Sequence, residues 1–352
     1  MKKIIALYMP QFHVIDENNK WWGNNYTEWD NVKRGKKYKK NQYQPRIPLN
    51  NNYYCLLDSS VQEYQSELAM AYGIYGFCYY HYWFSGKLLL EKPMENMLKN
   101  KKIKIPFCIS WANHTWRKSQ STDSKYILIE QKYGDSKEWI DHFNYLLPFF
   151  KDERYILKSN KPIFIIHDSS RFENLNEFMQ CWNELAKANG FDGVFFINTL
   201  KNRRDIKLTK EYNFDAQFEF EPSFSIYNKS YLFEIISKIK RNFYRDFLHQ
   251  VMVFDYNKIW NKIIKFNFND YITYNGCYVD WDNTPRWKNS GNYHKNACPE
   301  RFKYYFKKLY MKSNEFIFIN AWNEWGEGAY LEPDEKNKYG YLQAIKDVVN
   351  NN

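Results

Sequence analysis

Short blocks of β-branched and aromatic residues recur along the chain, each separated from the next by a stretch whose apolar positions fall three or four apart. Blocks of this length and composition predict buried strands, and the stretches between them predict amphipathic helices. Strands are expected at Lys3 to Phe12, Ile74 to Phe84, Ile105 to Asn113, Lys161 to His167, Gly193 to Thr199, Asp215 to Glu221, Gly276 to Asp282 and Phe316 to Asn320. Asp58 suits the N-cap of a helix reaching about Tyr72, and a second helix is expected from near Glu91 to Lys99. Others are expected over Asp135 to Phe150, over Leu175 to Ala188 with Asn189-Gly190 closing it, over Glu300 to Met311 and over Tyr341 to Val349.

Eight strands alternating with helices imply a parallel sheet with helical crossovers, and eight is the number that closes a barrel. The fold class is therefore α/β, a (β/α)8 TIM barrel, with residues 1–352 forming a single domain with loop insertions. An open doubly wound sheet is the alternative, but no Gly-rich phosphate loop follows the first strand. The stretch from Ser223 to Asn269 is long and irregular, with Leu232, Phe233, Ile235, Ile236 and Ile239 at helical spacing beside Lys238, Lys240 and Arg241. It reads as an insertion at about 223–270, a membrane-surface helix being the other reading.

Polar and aromatic residues gather just after the strands, where barrel enzymes carry their sites. Gln11 stands at the end of the first and His13 follows it, Ser110-Trp111-Ala112-Asn113-His114 closes the third, and Glu219 and Glu221 stand near the end of the sixth. After the last comes Ala321-Trp322-Asn323-Glu324-Trp325-Gly326-Glu327-Gly328. An extended segment would hold the backbones of Glu324 and Glu327 roughly 10 Å apart, whereas a bend at Gly326 turns both carboxyls to one pocket. Two carboxyls about 5 to 9.5 Å apart suit glycosidic chemistry. An acidic surface loop with two buried tryptophans is the plainer alternative.

Aromatic residues are 20% of the chain, with 13 Trp, 31 Tyr and 27 Phe, more than a core requires. Rings stack on the C–H faces of sugars, although biased codon usage also enriches such residues. The formal net charge of +11 favours anionic partners, yet no nucleic-acid-binding module is present, so nucleic acid is not an expected partner. Six cysteines without a Cys-x-x-Cys pair read as reduced core residues. The apolar N-terminal run meets Pro10, Gln11 and His13 too early for a signal peptide, and no run of the ~18 apolar residues a bilayer requires occurs. The expected address is cytoplasmic, with the inner face of the membrane as a second station.

Six stretches in order carry a family resemblance: Tyr8-Met9-Pro10-Gln11-Phe12-His13, Thr27-Glu28-Trp29, Tyr79 to Phe84, Ser110-Trp111-Ala112-Asn113, Trp281-Asp282-Asn283-Thr284-Pro285-Arg286 and Trp322 to Gly328. Together they resemble the WbsX-type glycosyltransferase family, which is similar to glycoside hydrolase family 99, the endo-α-mannosidase group. The resemblance implies a (β/α)8 barrel acting with retention on α-linked sugars of surface polysaccharide, O-antigen or capsule. Glu324 would remove the proton of the sugar 2-OH, giving a 1,2-anhydro sugar, and Glu327 would protonate the leaving oxygen and then activate water or an acceptor. Implied substrate binders are Tyr8, Gln11, His13, Glu28, Trp29, Tyr80, His81, Tyr82, Trp111, Asn113, Trp281, Asp282, Asn283 and Arg286, with Trp322, Asn323 and Trp325 framing the glutamates and Glu219 as a further site carboxylate.

The substrate class is a glycan or lipid-linked oligosaccharide, with no cofactor. The chain departs from the family pattern at His167-Asp168, where a Tyr-Arg pair is expected, so the subsite there differs. Asp280-Trp281-Asp282 has the spacing of a metal-holding Asp-x-Asp motif, but the nucleotide-binding fold that usually houses it is not predicted, so no metal is expected. From a different class, a carbohydrate-binding barrel without catalysis is the alternative; such a protein has no need of both Glu324 and Glu327.

Overall fold

The computed structural model describes residues 2–118, 126–228, 236, 239, 250–268 and 270–351. Eight parallel strands form the core: β1 (Lys3–Tyr8), β2 (Gly76–Phe84), β3 (Phe107–Trp111), β4 (Lys161–Ile166), β5 (Phe195–Leu200), β6 (Ala216–Glu219), β7 (Thr273–Tyr278) and β8 (Phe316–Asn320). Each pairs with its sequence neighbours, and β1 closes the ring by pairing with both β2 (Ile5 opposite Gly76) and β8 (Lys3 opposite Phe316). One crossover helix follows each strand: α1 (Ser59–Ala71), α2 (Lys92–Lys99), α3 (Ser136–Phe150), α4 (Leu175–Ala188), α5 (Arg203–Glu211), α6 (Tyr256–Lys265), α7 (Pro299–Lys312) and α8 (Gly340–Asn350). The chain is a closed (β/α)8 barrel.

Strands enclosed between a barrel interior and a helical ring are apolar on both faces. Ile4 to Leu7, Ile163 to Ile166 and Phe316 to Ile319 are accordingly buried throughout. Trp182 of α4, fully buried, shows how the layers join: its ring packs 4.7 Å from Phe164 on β4 and 4.6 Å from Phe178 on its own helix, and its Nε1 donates to the Trp139 carbonyl of α3. Asp58 caps α1, accepting from the Ser60 amide at 2.9 Å.

Boundaries move where local chemistry intervenes. β1 stops at Tyr8, because the Met9 amide donates to Asn323 Oδ1 at 2.7 Å and Pro10 has no amide to give. β7 runs Thr273–Tyr278, starting three and ending four residues earlier than the pattern predicts, and Asp280 beyond it pairs with Arg46. α5 and α6 are additional to the predicted helices. α6 occupies part of the expected insertion, where Met252–Asp255 also pairs in parallel with Asn292–Lys295. Leu232, Phe233, Ile235, Lys238, Lys240 and Arg241 lie outside the described residues, and Ile236 and Ile239 are exposed. Among the described residues no helix is long and apolar enough to cross a membrane.

Candidate active site

Two short turns assemble the acidic end of the site. After β8 the chain passes a cis Asn320–Ala321 peptide and reaches Asn323, whose amide clamps Met9 from both sides, accepting from its N–H and donating to its carbonyl at 3.0 Å. Glu324 then pairs across a two-residue ladder with Ala329, and Trp325–Glu327 forms a single 3-10 turn ending at Gly328, which takes the left-handed conformation at φ 65°. This bend brings Glu324 and Glu327 to the same cavity. Trp325 anchors the turn by stacking on Tyr330 at 3.6 Å and donating to Glu332 Oε2 at 2.7 Å.

Arg286 joins this turn to the loops after β1 and β7. Its Nε bonds Glu28 Oε1 at 2.7 Å, one terminal nitrogen lies 2.8 Å from Glu324 Oε1, and the other lies 3.2 Å from Glu327 Oε1. Glu28 is delivered by a capping box, in which Thr27 and Asp30 satisfy one another's backbone amides at the start of the helix Glu28–Lys33. Gly326 makes room for this meeting, since a Cβ there would stand 2.0 Å from Glu28 Oε1 and 2.8 Å from Arg286 Nε.

Beside the shared guanidinium, Glu324 and Glu327 hold their protons tightly. Burial pushes the Glu324 carboxyl well above the usual range, Arg286 opposing this and the Glu327 and Glu28 charges reinforcing it. Burial raises Glu327 too, again against Arg286 and with Glu28. Burial works against the charge of Arg286 itself, but its three carboxylates outweigh that and hold it protonated.

The cavity, of ≈ 420 Å³, opens over the C-terminal ends of the strands. Such a volume lies in the range of small-molecule sites. Of the sequence-predicted residues, Gln11, Tyr80, Tyr82, Trp281, Asn283, Arg286, Glu324 and Glu327 line it, and Glu28 stands behind Arg286. Tyr82 accepts from Gln11 Nε2 at 3.3 Å.

The others stand outside its lining. Tyr8 donates to Gln65 at 2.5 Å within the core, and Trp29 packs on Phe12, Tyr54 and Trp325. His13 is buried and its imidazole is pushed down by burial. His81, pushed down to about 3 by burial, meets the His142 ring, with 2.9 Å between their Nε2 atoms. Trp111 donates to the Trp83 carbonyl, and Asn113 is tied to the Asp168 backbone in both directions. Glu219 accepts from Asn275 inside the barrel and is raised to about 7 by burial. Trp322 packs on Phe77. Asp282 accepts from Gln42 and Thr284 while Asp280 faces Arg46, so this pair of aspartates has separate partners. Among the described residues no three His, Cys, Asp or Glu side chains are grouped to hold a metal ion.

Sequence reasoning did not select Trp116, Lys201, Phe220 or Asn320, which also line the cavity, nor His114 and His167 as site residues. His114, Lys201, Phe220 and Asn320 were marked only by their places at strand ends, His167 also by its departure from the family pattern, and Trp116 by nothing in the sequence.

A parallel barrel with a carboxylate-and-arginine cavity over its strand ends defines the class of barrel proteins that carry a polar-ligand site on their loops. Within that class, residues 4–345 match the family model described as glycosyltransferase WbsX, and the chain belongs to that family. It is 30% identical over 355 residues to the uncharacterized protein WxcX of Xanthomonas campestris pv. campestris strain B100, covering 98% of this chain and 49% of that protein. The chain thus spans about half the length of the curated relatives it matches.

Its fold is similar to that of the GH99 endo-alpha-mannosidase from Bacteroides thetaiotaomicron, at a TM-score of 0.60 and 12% identity over 100% of this chain and 97% of that one. A glycoside hydrolase-like protein aligns at a TM-score of 0.61 and 11% identity, over 99% and 93% of the two chains. At these identities the likeness is one of fold.

Proposed function

We propose that this chain is a carbohydrate-active enzyme that breaks α-linked glycosidic bonds with retention and passes the sugar to an acceptor hydroxyl or to water, in the assembly of surface polysaccharide at the cytoplasmic side. The observation that carries the reading is the meeting of Glu324 and Glu327 on one guanidinium at the cavity wall. Glu324 takes the proton of the sugar 2-OH as O2 attacks the anomeric carbon. The glycosidic bond breaks with its electron pair going to the departing oxygen, which takes a proton from Glu327. In the second half Glu327 removes the proton of water or acceptor, that oxygen opens the 1,2-anhydro ring, and O2 recovers its proton from Glu324.

The electrostatics support proton transfer by both members of the pair. A carboxyl held above its usual range is a competent acid near neutrality and, once ionised, a stronger base. Arg286 keeps both side chains in one place while its charge favours the ionised member of the pair. Tyr80, Tyr82 and Trp281 supply ring faces for the sugar, and Gln11 and Asn283 supply hydrogen bonds. The test is turnover of α-linked disaccharides and carrier-linked oligosaccharides by the wild type, Glu324→Gln and Glu327→Gln, with products resolved by mass. A new reducing sugar or an enlarged acceptor, lost in both variants, supports the reading. Equal behaviour of the three proteins would leave a binding protein in its place.

A further inference from the structure

The wall of the cavity supplied by the ends of β3, β4 and β5 has chemistry unlike that of the Glu324 and Glu327 wall. His114, His167 and Lys201 all open onto it. The two imidazoles lie 5.8 Å apart between ring centres, and His167 is seated edge-on between Tyr80, at 5.8 Å, and Phe220, at 5.3 Å. The Lys201 ammonium lies 3.3 Å from Asp168 Oδ2, a loose ion pair whose two side chains are 24% and 17% exposed. Asp168 also accepts from the Ser170 hydroxyl at 2.6 Å, and Asp205 is occupied with the backbone amides of Lys201 and Asn202. Asp168 is thus shared between Lys201 and Ser170, Asp205 is taken up by backbone amides, and His114, His167 and Lys201 line the cavity.

We infer that this wall is an anion subsite, in which His114, His167 and Lys201 receive a negatively charged group carried by the glycan, either a hexuronate carboxylate or a sugar phosphate. The inference rests on the reading of the cavity as a glycan site and names the class of sugar it takes. Three nitrogen-bearing side chains on one cavity wall match such a group, which has acceptors only. Burial, with the Lys201 charge next in size, holds both imidazoles below their usual range, and Asp168 only partly offsets that positive field. An incoming anion reverses the field and draws a proton onto the histidines, converting them into charged donors. Tyr80 places the two walls within reach of one ligand, since its ring touches His167 and its hydroxyl feels the charges of Glu324 and Glu327.

The experiment is calorimetric titration of the full chain with methyl α-glucuronide, its neutral counterpart methyl α-glucoside, and α-glucose 1-phosphate, on the wild type, Lys201→Gln and Lys201→Arg. The wild type is expected to bind one of the anionic probes at least tenfold more tightly than the glucoside, the stronger probe naming the source of the charge. Lys201→Gln should erase that preference while still binding the glucoside, and Lys201→Arg should keep it. In the wild type, the histidine ring signals should move toward the protonated form on adding the preferred anion. Equal binding of all three probes, or a preference that survives Lys201→Gln with unmoved rings, would overturn the inference. Turnover lost in Glu324→Gln alongside equal probe binding would sink the subsite and leave the proposed activity standing. A clear anion preference without any turnover would do the reverse.

Discussion

Replacing Arg286 by methionine leaves Glu28, Glu324 and Glu327 facing one another without their shared cation, now held at 2.7, 2.8 and 3.2 Å. Unit charges about 4 Å apart attract by ~4 kcal/mol at an effective dielectric of about 20, equivalent to ~3 pKa units at ~1.36 kcal/mol each. Solvent at the open side, where the Glu327 side chain is 22% exposed, weakens this. A rise of about 1–3 units for Glu324 and Glu327 is therefore expected. Removing one partner from such a buried cluster costs about 3–5 kcal/mol of stability near neutral pH.

The sign of the pH dependence follows. The folded-state values of Glu324 and Glu327 already stand above those of the unfolded chain, so the folded form binds more protons and stability falls as pH rises from the unfolded value through the folded one. Arg286→Met widens that window. Urea unfolding at pH 5 and pH 8 should show a deficit, relative to wild type, that is larger by ~1–3 kcal/mol at pH 8. The acidic limb of the turnover profile should also move up by about 1–3 pH units. A deficit equal at both pH values, with an unmoved acidic limb, would refute the charge-clamp reasoning.

Gly326→Ala forces the Glu28–Arg286 pair apart, because the new methyl would overlap Glu28 Oε1, and it should cost about 1–3 kcal/mol in urea unfolding and most of the turnover. Wild-type stability in Gly326→Ala would contradict the close approach. Glu219→Gln removes a buried carboxyl that is raised to about 7 and has one oxygen without a hydrogen-bond partner among the described residues. It should stabilise the fold by ~1–3 kcal/mol at pH 8 and by less at pH 5, the charge it removes being present only at the higher pH; an equal effect at both would be incompatible with that burial. Asn323→Ala orphans the Met9 N–H and carbonyl and should cost ~2–4 kcal/mol in thermal or urea unfolding, more than a surface Asn→Ala change.

The barrel was legible because strands such as β1, β4 and β8 are blocks apolar on both faces, and because the crossover helices at α1 to α4, α7 and α8 carry their own apolar spacing, with side-chain caps at α1 and α3. α5 escaped since it buries little beyond Asp205 and Thr209, and its Asn202–Asp205 capping box was the only local signal. α6 was hidden inside an irregular stretch read as one insertion, although Tyr256, Ile259, Trp260 and Ile263 supply its buried face. At the site, the bend bringing Glu324 and Glu327 together could be read from Gly326 and Gly328. The convergence of Glu28 on Arg286, 258 positions away, could not, because barrel closure creates it. For the same reason strand-end aromatics alone did not separate Tyr80 and Tyr82, which face the cavity, from His81 between them, which points outward to the His142 of α3.

The measurement that bears most directly on the proposed chemistry compares two α-glycosides of the same sugar, one with an alkyl leaving group and one with a dinitrophenyl group that departs without a proton. Glu327→Gln is predicted to lose the alkyl substrate but keep a rapid first release of dinitrophenolate, with later turnover slowed at the step where Glu327 activates water, whereas Glu324→Gln loses both because the 2-OH is no longer deprotonated. Full activity of either variant on the alkyl glycoside, or the rescue falling to Glu324→Gln instead, would contradict the roles assigned to the pair.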